Sequence, residues 1–278
     1  MSCQQKILRT AFSDTAVIAM TDIRTVFPPS MLQYARIPSH ETLRMYCFHC
    51  AGGSAMFYAD WGSLLPEDIG IYPLQLKCRG GRAEETPYNS LEEAVEEMSA
   101  AIAVLQEISP VPYILFGHSM GGTLSYSAEL SLEKKGMQAE KIFVSAGIPD
   151  ISEVCRRNNK RMSEMDDQEF ISALLEYGGL DERTIRIKEF RQVFMPVLRS
   201  DFRIAENYIP SPENKLRCSV QGYYGSSDKI VGENYAEQWN DYITGRFSYS
   251  IMNGGHFFIN QYKADVCTDI AEFAGQYR

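Results

Sequence analysis

The stretch FGHSMGG, residues 116–122, decides the reading of the whole chain. It follows a short apolar run, VPYILFG, which reads as a buried strand. It opens into GTLSYSAELSLEKKG, a helical pattern that ends at Gly136. Strand, sharp turn and helix are the context in which G-x-S-x-G lifts a serine above the edge of a sheet. Gly117 and Gly121 flank Ser119 where a Cβ would obstruct close backbone approach. The helix that starts behind the serine favours negative charge beside it. Ser119 is therefore the candidate nucleophile. The plain alternative is a glycine-rich strand–helix turn with an inert serine.

Outward from this elbow the chain alternates. LRMYCFH reads as a strand, SAMFYADWGSLL as a helix and IGIYPLQLK as a second strand. SLEEAVEEMSAAIAVLQEI reads as a long amphipathic helix, with Ser90 as N-cap and Glu93 completing a capping box. EKIFVSAG is another strand. The alternation predicts an α/β fold, a mostly parallel central sheet with helices on both faces. Residues 150–210 read almost wholly helical and predict an α-helical insertion into that fold. The strand–helix rhythm resumes with KLRCSVQGYYG, ENYAEQWNDYIT, RFSYSIMN and YKADVCTDIAEFAGQY. Residues 1–40 are weakly periodic and carry Pro28, Pro29 and Pro38. They are expected to form an N-terminal extension before a domain spanning 41–278.

Composition narrows the function. The 278 residues include 45% hydrophobic and 23% charged side chains, enough for one large domain with a sizeable core. A formal charge of −9 argues against a general nucleic-acid binder. No apolar run of about 18 residues occurs, so no membrane span is expected. The N-terminus lacks an apolar segment ending in a small-residue cleavage site, so no secretory signal is expected. Seven scattered cysteines fit a cytoplasmic chain with free buried thiols. Cys47 and Cys50 form a C-x-x-C. Residues three apart on a strand point to opposite faces, and no second C-x-x-C exists, so neither a redox pair nor a metal site is expected.

A serine hydroxyl needs a base. The chain has four histidines. His118 adjoins the serine on a sharp turn and should point elsewhere; His40 lies in the extension, and His49 precedes the serine at a strand end. His256, in NGGHFFIN after a strand and before the last helix, is the natural base in the chain order serine, acid, histidine. The acid must hold the imidazole tautomer and stabilise the imidazolium. Asp228, in a Gly/Ser turn after a strand, fits that place. Asp201 and Asp241, inside helical patterns, read as surface charges. The oxyanion of acyl transfer needs two backbone N–H donors. Met120 supplies one as the residue after the nucleophile. The AGG loop, residues 51–53, follows an earlier strand and offers Ala51 N–H as the second.

With these residues assembled, the sequence resembles the type II thioesterases of non-ribosomal peptide and polyketide synthases, from about Leu43 to the C-terminus. The landmarks are FHCAGGSAMFYADW, GRAEE, FGHSMGG, LRSDFRIAENY, GSSDKIV with Trp239 following, and GGHFFI. The resemblance implies an α/β-hydrolase fold with a helical lid at 150–210. Residue by residue it carries the family's triad onto Ser119, Asp228 and His256, and its oxyanion donors onto Ala51 and Met120. It implies removal of acyl groups from the phosphopantetheine arm of acyl- or peptidyl-carrier proteins, in editing or product release, by a monomer without cofactor. Two positions depart from the family pattern. His49 stands where members usually have proline, and KCRG, residues 77–80, replaces a PGRG-like turn.

Phe170, Leu174 and Leu175 in the insertion are candidates for an acyl-chain groove, or simply for packing the lid. Arg156, Arg157, Lys160 and Arg161 are candidates for a carrier-docking patch, or for a solvated charge run. The alternative activities are an esterase or lipase on soluble esters, acyl transfer to another acceptor, and a non-catalytic binding protein.

Overall fold

The fold is that of a computed structural model, which describes Phe27 and residues 30–278. The strands are β1 (Leu43–Phe48), β2 (Ile69–Leu74), β3 (Tyr113–His118), β4 (Lys141–Ser145), β5 (Ser219–Gly225) and β6 (Phe247–Met252). They form one parallel sheet in the order β2-β1-β3-β4-β5-β6. From β1 the chain moves to one side, to β2, and then crosses to the other side, to β3. The loops leaving the carboxyl ends of β1 and β3 therefore meet at the topological switch point, where open α/β sheets bind ligands.

The larger helices are α1 (Leu91–Ile108), α2 (Met120–Lys134), α3 (Ile151–Asn158), α4 (Asp167–Tyr177), α5 (Glu182–Arg186) and α6 (Met195–Asn207). After β5 come α7 (Glu233–Ala236), α8 (Trp239–Tyr242) and, after β6, α9 (Ile259–Ala274). Tyr46, Phe48, Tyr72 and Leu115 pack with Met98 and Ile102 of α1 and Leu124 of α2. Their neighbours Met45, Cys47, Ile71 and Ile114 pack on the opposite face with Val266, Cys267 and Ile270 of α9. Burial on both faces is why these strands read as continuous apolar runs. Among the described residues no helix is long and apolar enough to cross a membrane.

Several local expectations need correction. SAMFYADWGSLL is not one helix but two 3₁₀ turns, Ala55–Tyr58 and Trp61–Ser63. Ala55, Tyr58 and Trp61 are buried at a spacing of three, the period of 3₁₀ geometry. The capping box of α1 is half made. Ser90 Oγ accepts from Glu93 N–H at 3.3 Å, but Glu93 Oε2 accepts from Asn89 N–H at 2.9 Å rather than from Ser90. Within the helical stretch 150–210, α5 and α6 are separate helices, with a π-helical turn at Phe190–Phe194 leading into α6.

Of residues 1–40, positions 1–26, 28 and 29, and with them most of the expected extension, lie outside the described residues. Phe27 and Met31 are buried in the core. Arg36 pairs with Ile71 in an antiparallel bridge and donates to the carbonyls of Leu65 (3.1 Å) and Ile69 (2.8 Å). One guanidinium thus satisfies a turn beside β2 that would otherwise lack donors.

Glu129 of α2 gives the fold a pH dependence. Its carboxyl is buried, takes N–H from Ala139 at 2.6 Å and O–H from Tyr113 at 3.0 Å, and is pushed up to about 8 by desolvation. In the unfolded chain it titrates near 4.5. Between those values the native state holds a proton that the unfolded state has lost, so this group makes stability fall as pH rises from about 4.5 to about 8. Glu129→Gln is expected to flatten that decline and to raise the denaturation midpoint at pH 8. Urea titrations at pH 5 and pH 8 check it; an unchanged slope with pH sinks the assignment.

Candidate active site

β3 ends at His118 and α2 begins at Met120, so the chain reverses at Ser119, with φ 56° and ψ −120°. Positive φ is costly for a residue with a Cβ and marks a turn held by its surroundings. The surroundings explain the glycines. A Cβ on Gly117 would lie 2.1 Å from Gly121 O, and one on Gly121 would lie 2.0 Å from Phe48 O. Ser119 N–H donates to Ser145 O of β4 at 2.9 Å, tying the elbow to the sheet.

His256 sits in the loop between β6 and α9 and is 4% exposed. Its Nε2 lies 2.8 Å from Ser119 Oγ, and its Nδ1 lies 2.8 Å from Asp228 Oδ2. Asp228 follows β5 in a turn. Its other oxygen, Oδ1, accepts the backbone N–H groups of Ile230 (2.8 Å) and Val231 (3.1 Å). A carboxylate only accepts hydrogen bonds, so His256 donates from Nδ1 and keeps Nε2 as an acceptor towards the serine hydroxyl. Three residues far apart in sequence thus meet in one hydrogen-bonded line.

The other histidines stay out of that line. His118 is buried, bonds Ser145 O through Nδ1 at 3.0 Å and stacks on Phe57; burial pulls it down to about 3. His49 is buried and pulled down to about 4 by desolvation, with Nδ1 2.9 Å from Cys50 O. His40 is exposed.

Ala51 and Met120 border the same cavity as Ser119 and His256. Among the described residues, neither backbone N–H has a hydrogen-bond acceptor. The C-x-x-C cysteines do not pair: Cys47 faces α9, Cys50 borders the cavity, and both are free thiols.

The cavity has a volume of about 360 Å³ and walls that are mainly apolar, including Met162, Met165, Leu174, Phe190, Phe202 and Phe257. Of the groove candidates, Leu174 lines it, whereas Phe170 and Leu175 pack inside the insertion. The basic run is partly neutralised. Arg156 pairs with Asp150 at 2.9 Å, Arg157 pairs with Glu153, and Arg161 donates to Asn207 Oδ1 at 2.6 Å. Lys160 borders the cavity and has no carboxylate within 4.0 Å among the described residues.

Asp201 is the largest miss of the sequence reading. It is 3% exposed, not a surface charge, and forms a two-pronged ion pair with Arg79, both contacts at 2.7 Å. Asp241 is exposed as expected. A signal was present: Asp201 lies three residues after Leu198 and four before Ala205, on the buried stripe of α6. A carboxylate on such a stripe requires a partner.

An α/β fold with this elbow, acid and histidine defines a class of acyl-processing hydrolases. Residues 44–275 match the thioesterase domain family, and the chain belongs to it. Thioesterase PikA5 of Streptomyces venezuelae is 28% identical over 235 residues, covering 84% of this chain and 81% of that protein. Among solved structures, the RedJ thioesterase of the prodiginine pathway in Streptomyces coelicolor has a TM-score of 0.74 at 27% identity, covering 85% of this chain and 92% of RedJ. The type II thioesterase BorB of the borrelidin cluster has a TM-score of 0.70 at 29% identity, covering 86% and 95%.

Proposed function

We propose that the protein hydrolyses acyl thioesters carried on the phosphopantetheine arm of carrier proteins in non-ribosomal peptide or polyketide assembly. The observation that carries the reading is the Ser119–His256–Asp228 line, with both contacts at 2.8 Å, at the wall of an apolar cavity. The family and the named relatives supply the thioester and the pathway class.

His256 Nε2 takes the Ser119 proton as Oγ bonds to the thioester carbon. The carbonyl oxygen becomes an oxyanion held by Ala51 and Met120 N–H. The intermediate collapses with cleavage of the C–S bond, and His256 returns its proton to the departing thiolate. Water then gives a proton to His256 and attacks the acyl-serine; a second collapse returns that proton to Oγ and frees the acid. Asp228 keeps the imidazole oriented throughout. No step calls on a metal or an organic cofactor. The helical insertion encloses the acyl group, and Lys160 with its neighbouring arginines faces the carrier.

The test loads one acyl group on a carrier protein, on a small thiol and on an aryl alcohol, and follows acid release by mass spectrometry. The carrier is expected to give the highest kcat/KM, and Lys160→Glu to lower that value alone. Faster cleavage of the aryl ester removes the thioester reading. Equal values for carrier and small thiol remove the carrier.

A further inference from the structure

The loop that presents Ala51 is held from outside. Gly52 N–H donates to Asp201 Oδ2 at 2.8 Å. Gly53 O accepts from Arg79 Nη1 at 3.0 Å. Arg79 and Asp201 are themselves joined fork to fork, Nη1 to Oδ2 and Nη2 to Oδ1, and both side chains are under 10% exposed. Arg79 Nε is anchored on Lys77 O at 2.9 Å. One turn before Asp201, Leu198 closes the loop from the same helix; a Cβ on Gly52, which has φ +68°, would lie 2.4 Å from Leu198 Cδ1. Two successive loop residues, one through its N–H and one through its C=O, are thus fastened to one buried ion pair. That pair joins the segment after β2 to α6 of the helical insertion.

We propose that the Arg79–Asp201 pair is a positioning device for the oxyanion loop. By engaging Gly52 N–H and Gly53 C=O, it fixes the loop's peptide planes and leaves Ala51 N–H as the donor turned to the carbonyl oxygen that becomes the oxyanion. Neither residue touches substrate. The inference rests on the reading of Ala51 as an oxyanion donor. It makes the insertion part of the catalytic assembly as well as a cover: the last helix of the insertion carries the carboxylate on which the loop hangs. A buried ion pair is in general a poor source of stability, and an apolar replacement of similar volume is often neutral. A positional role gives a reason for this one.

That contrast sets the experiment. Asp201→Asn weakens the grip on the loop and leaves Arg79 buried without its counter-charge. It is expected to lower kcat about 10²-fold, the loss associated with misplacing a catalytic group by an ångström, with little change in KM. Part of this could come from lost stability. The double variant Arg79→Met/Asp201→Leu removes both charges and keeps the volume. It is expected to restore the melting temperature and to leave kcat low; it also keeps the test open if the single variant does not fold. A trifluoromethyl ketone analogue, whose adduct carries the oxyanion, is expected to lose affinity in parallel with kcat/KM. Recovery of kcat together with stability in the double variant overturns the proposal. So does an unchanged affinity for the ketone. Ala51→Pro, which deletes the N–H itself, separates the two levels. If it lowers kcat and the pair variants do not, the donor stands and the positioning role falls. If it leaves kcat intact, the donor assignment falls first.

Discussion

Ser119→Ala is expected to give a folded protein whose kcat for acyl release has dropped about 10⁶-fold, the scale seen when a serine nucleophile is removed from a triad. The elbow does not depend on the hydroxyl. Its φ of 56° belongs to a turn packed too closely at Gly117 and Gly121 to admit a Cβ there, and alanine meets the same backbone strain as serine. The change deletes one hydrogen bond, to His256 Nε2, so the cost in stability should stay near 1 kcal/mol. Thermal denaturation and mass spectrometry on one preparation check both halves. The wild type should show an acyl adduct on residue 119 under single-turnover conditions, and the variant none. Turnover near the wild-type rate would falsify the nucleophile assignment outright.

Asp228→Asn should cost about 10⁴-fold in kcat, roughly a hundredfold less than loss of the serine, through the tautomer rather than through lost structure. The two oxygens of Asp228 have different duties. Oδ1 accepts two backbone N–H groups, from Ile230 and Val231, and Oδ2 faces His256 Nδ1. An asparagine must keep its oxygen towards those two donors, since its amide nitrogen cannot accept from them. The NH₂ group is then directed at His256 Nδ1, which must accept, and the imidazole proton moves to Nε2. In that tautomer His256 cannot take the Ser119 proton. The turn keeps its hydrogen bonds, so the melting temperature should hold while kcat falls and KM changes little. NMR of the imidazole nitrogens should place the proton on Nε2 in the variant. Nδ1 protonation together with full activity would show that Asp228 is not the orienting acid.

How far the sequence could be read depended on how local the cause was. Strand–turn–helix contexts made Ser119, His256 and Asp228 legible, because chemistry and backbone signals coincide at those positions. The parallel sheet was legible from apolar runs of strand length. Where several turns compete, the pattern failed. SAMFYADWGSLL reads as one helix, yet the spacing of three between Ala55, Tyr58 and Trp61 is satisfied by two 3₁₀ turns. Glu93 does mark the helix start, but Asn89 N–H takes its carboxylate. Asp201 failed for a different reason. Its place on the buried stripe of α6 calls for a partner, but that partner, Arg79, is 122 residues away, and nothing local to Asp201 says which residue it is. The insertion's helices were visible as helices. Which of their apolar side chains face the cavity was not, because Phe170, Leu174 and Leu175 differ only in which neighbour covers them.

The cavity and the triad come from separate parts of the polypeptide. Ser119, Asp228 and His256, the reacting groups of the proposed function, follow β3, β5 and β6, whereas Met162, Met165, Leu174 and Phe190 belong to the helical stretch between β4 and β5. On the proposed function, selectivity for the acyl group can therefore drift, or be redesigned, by changing a module that holds none of the proposed proton-transfer residues. Leu198 and Asp201 set the boundary of that freedom, since the helix bearing them grips the loop at Gly52. A transplant of the module between related enzymes should carry its chain-length preference along, provided that one turn of helix still fits its new host.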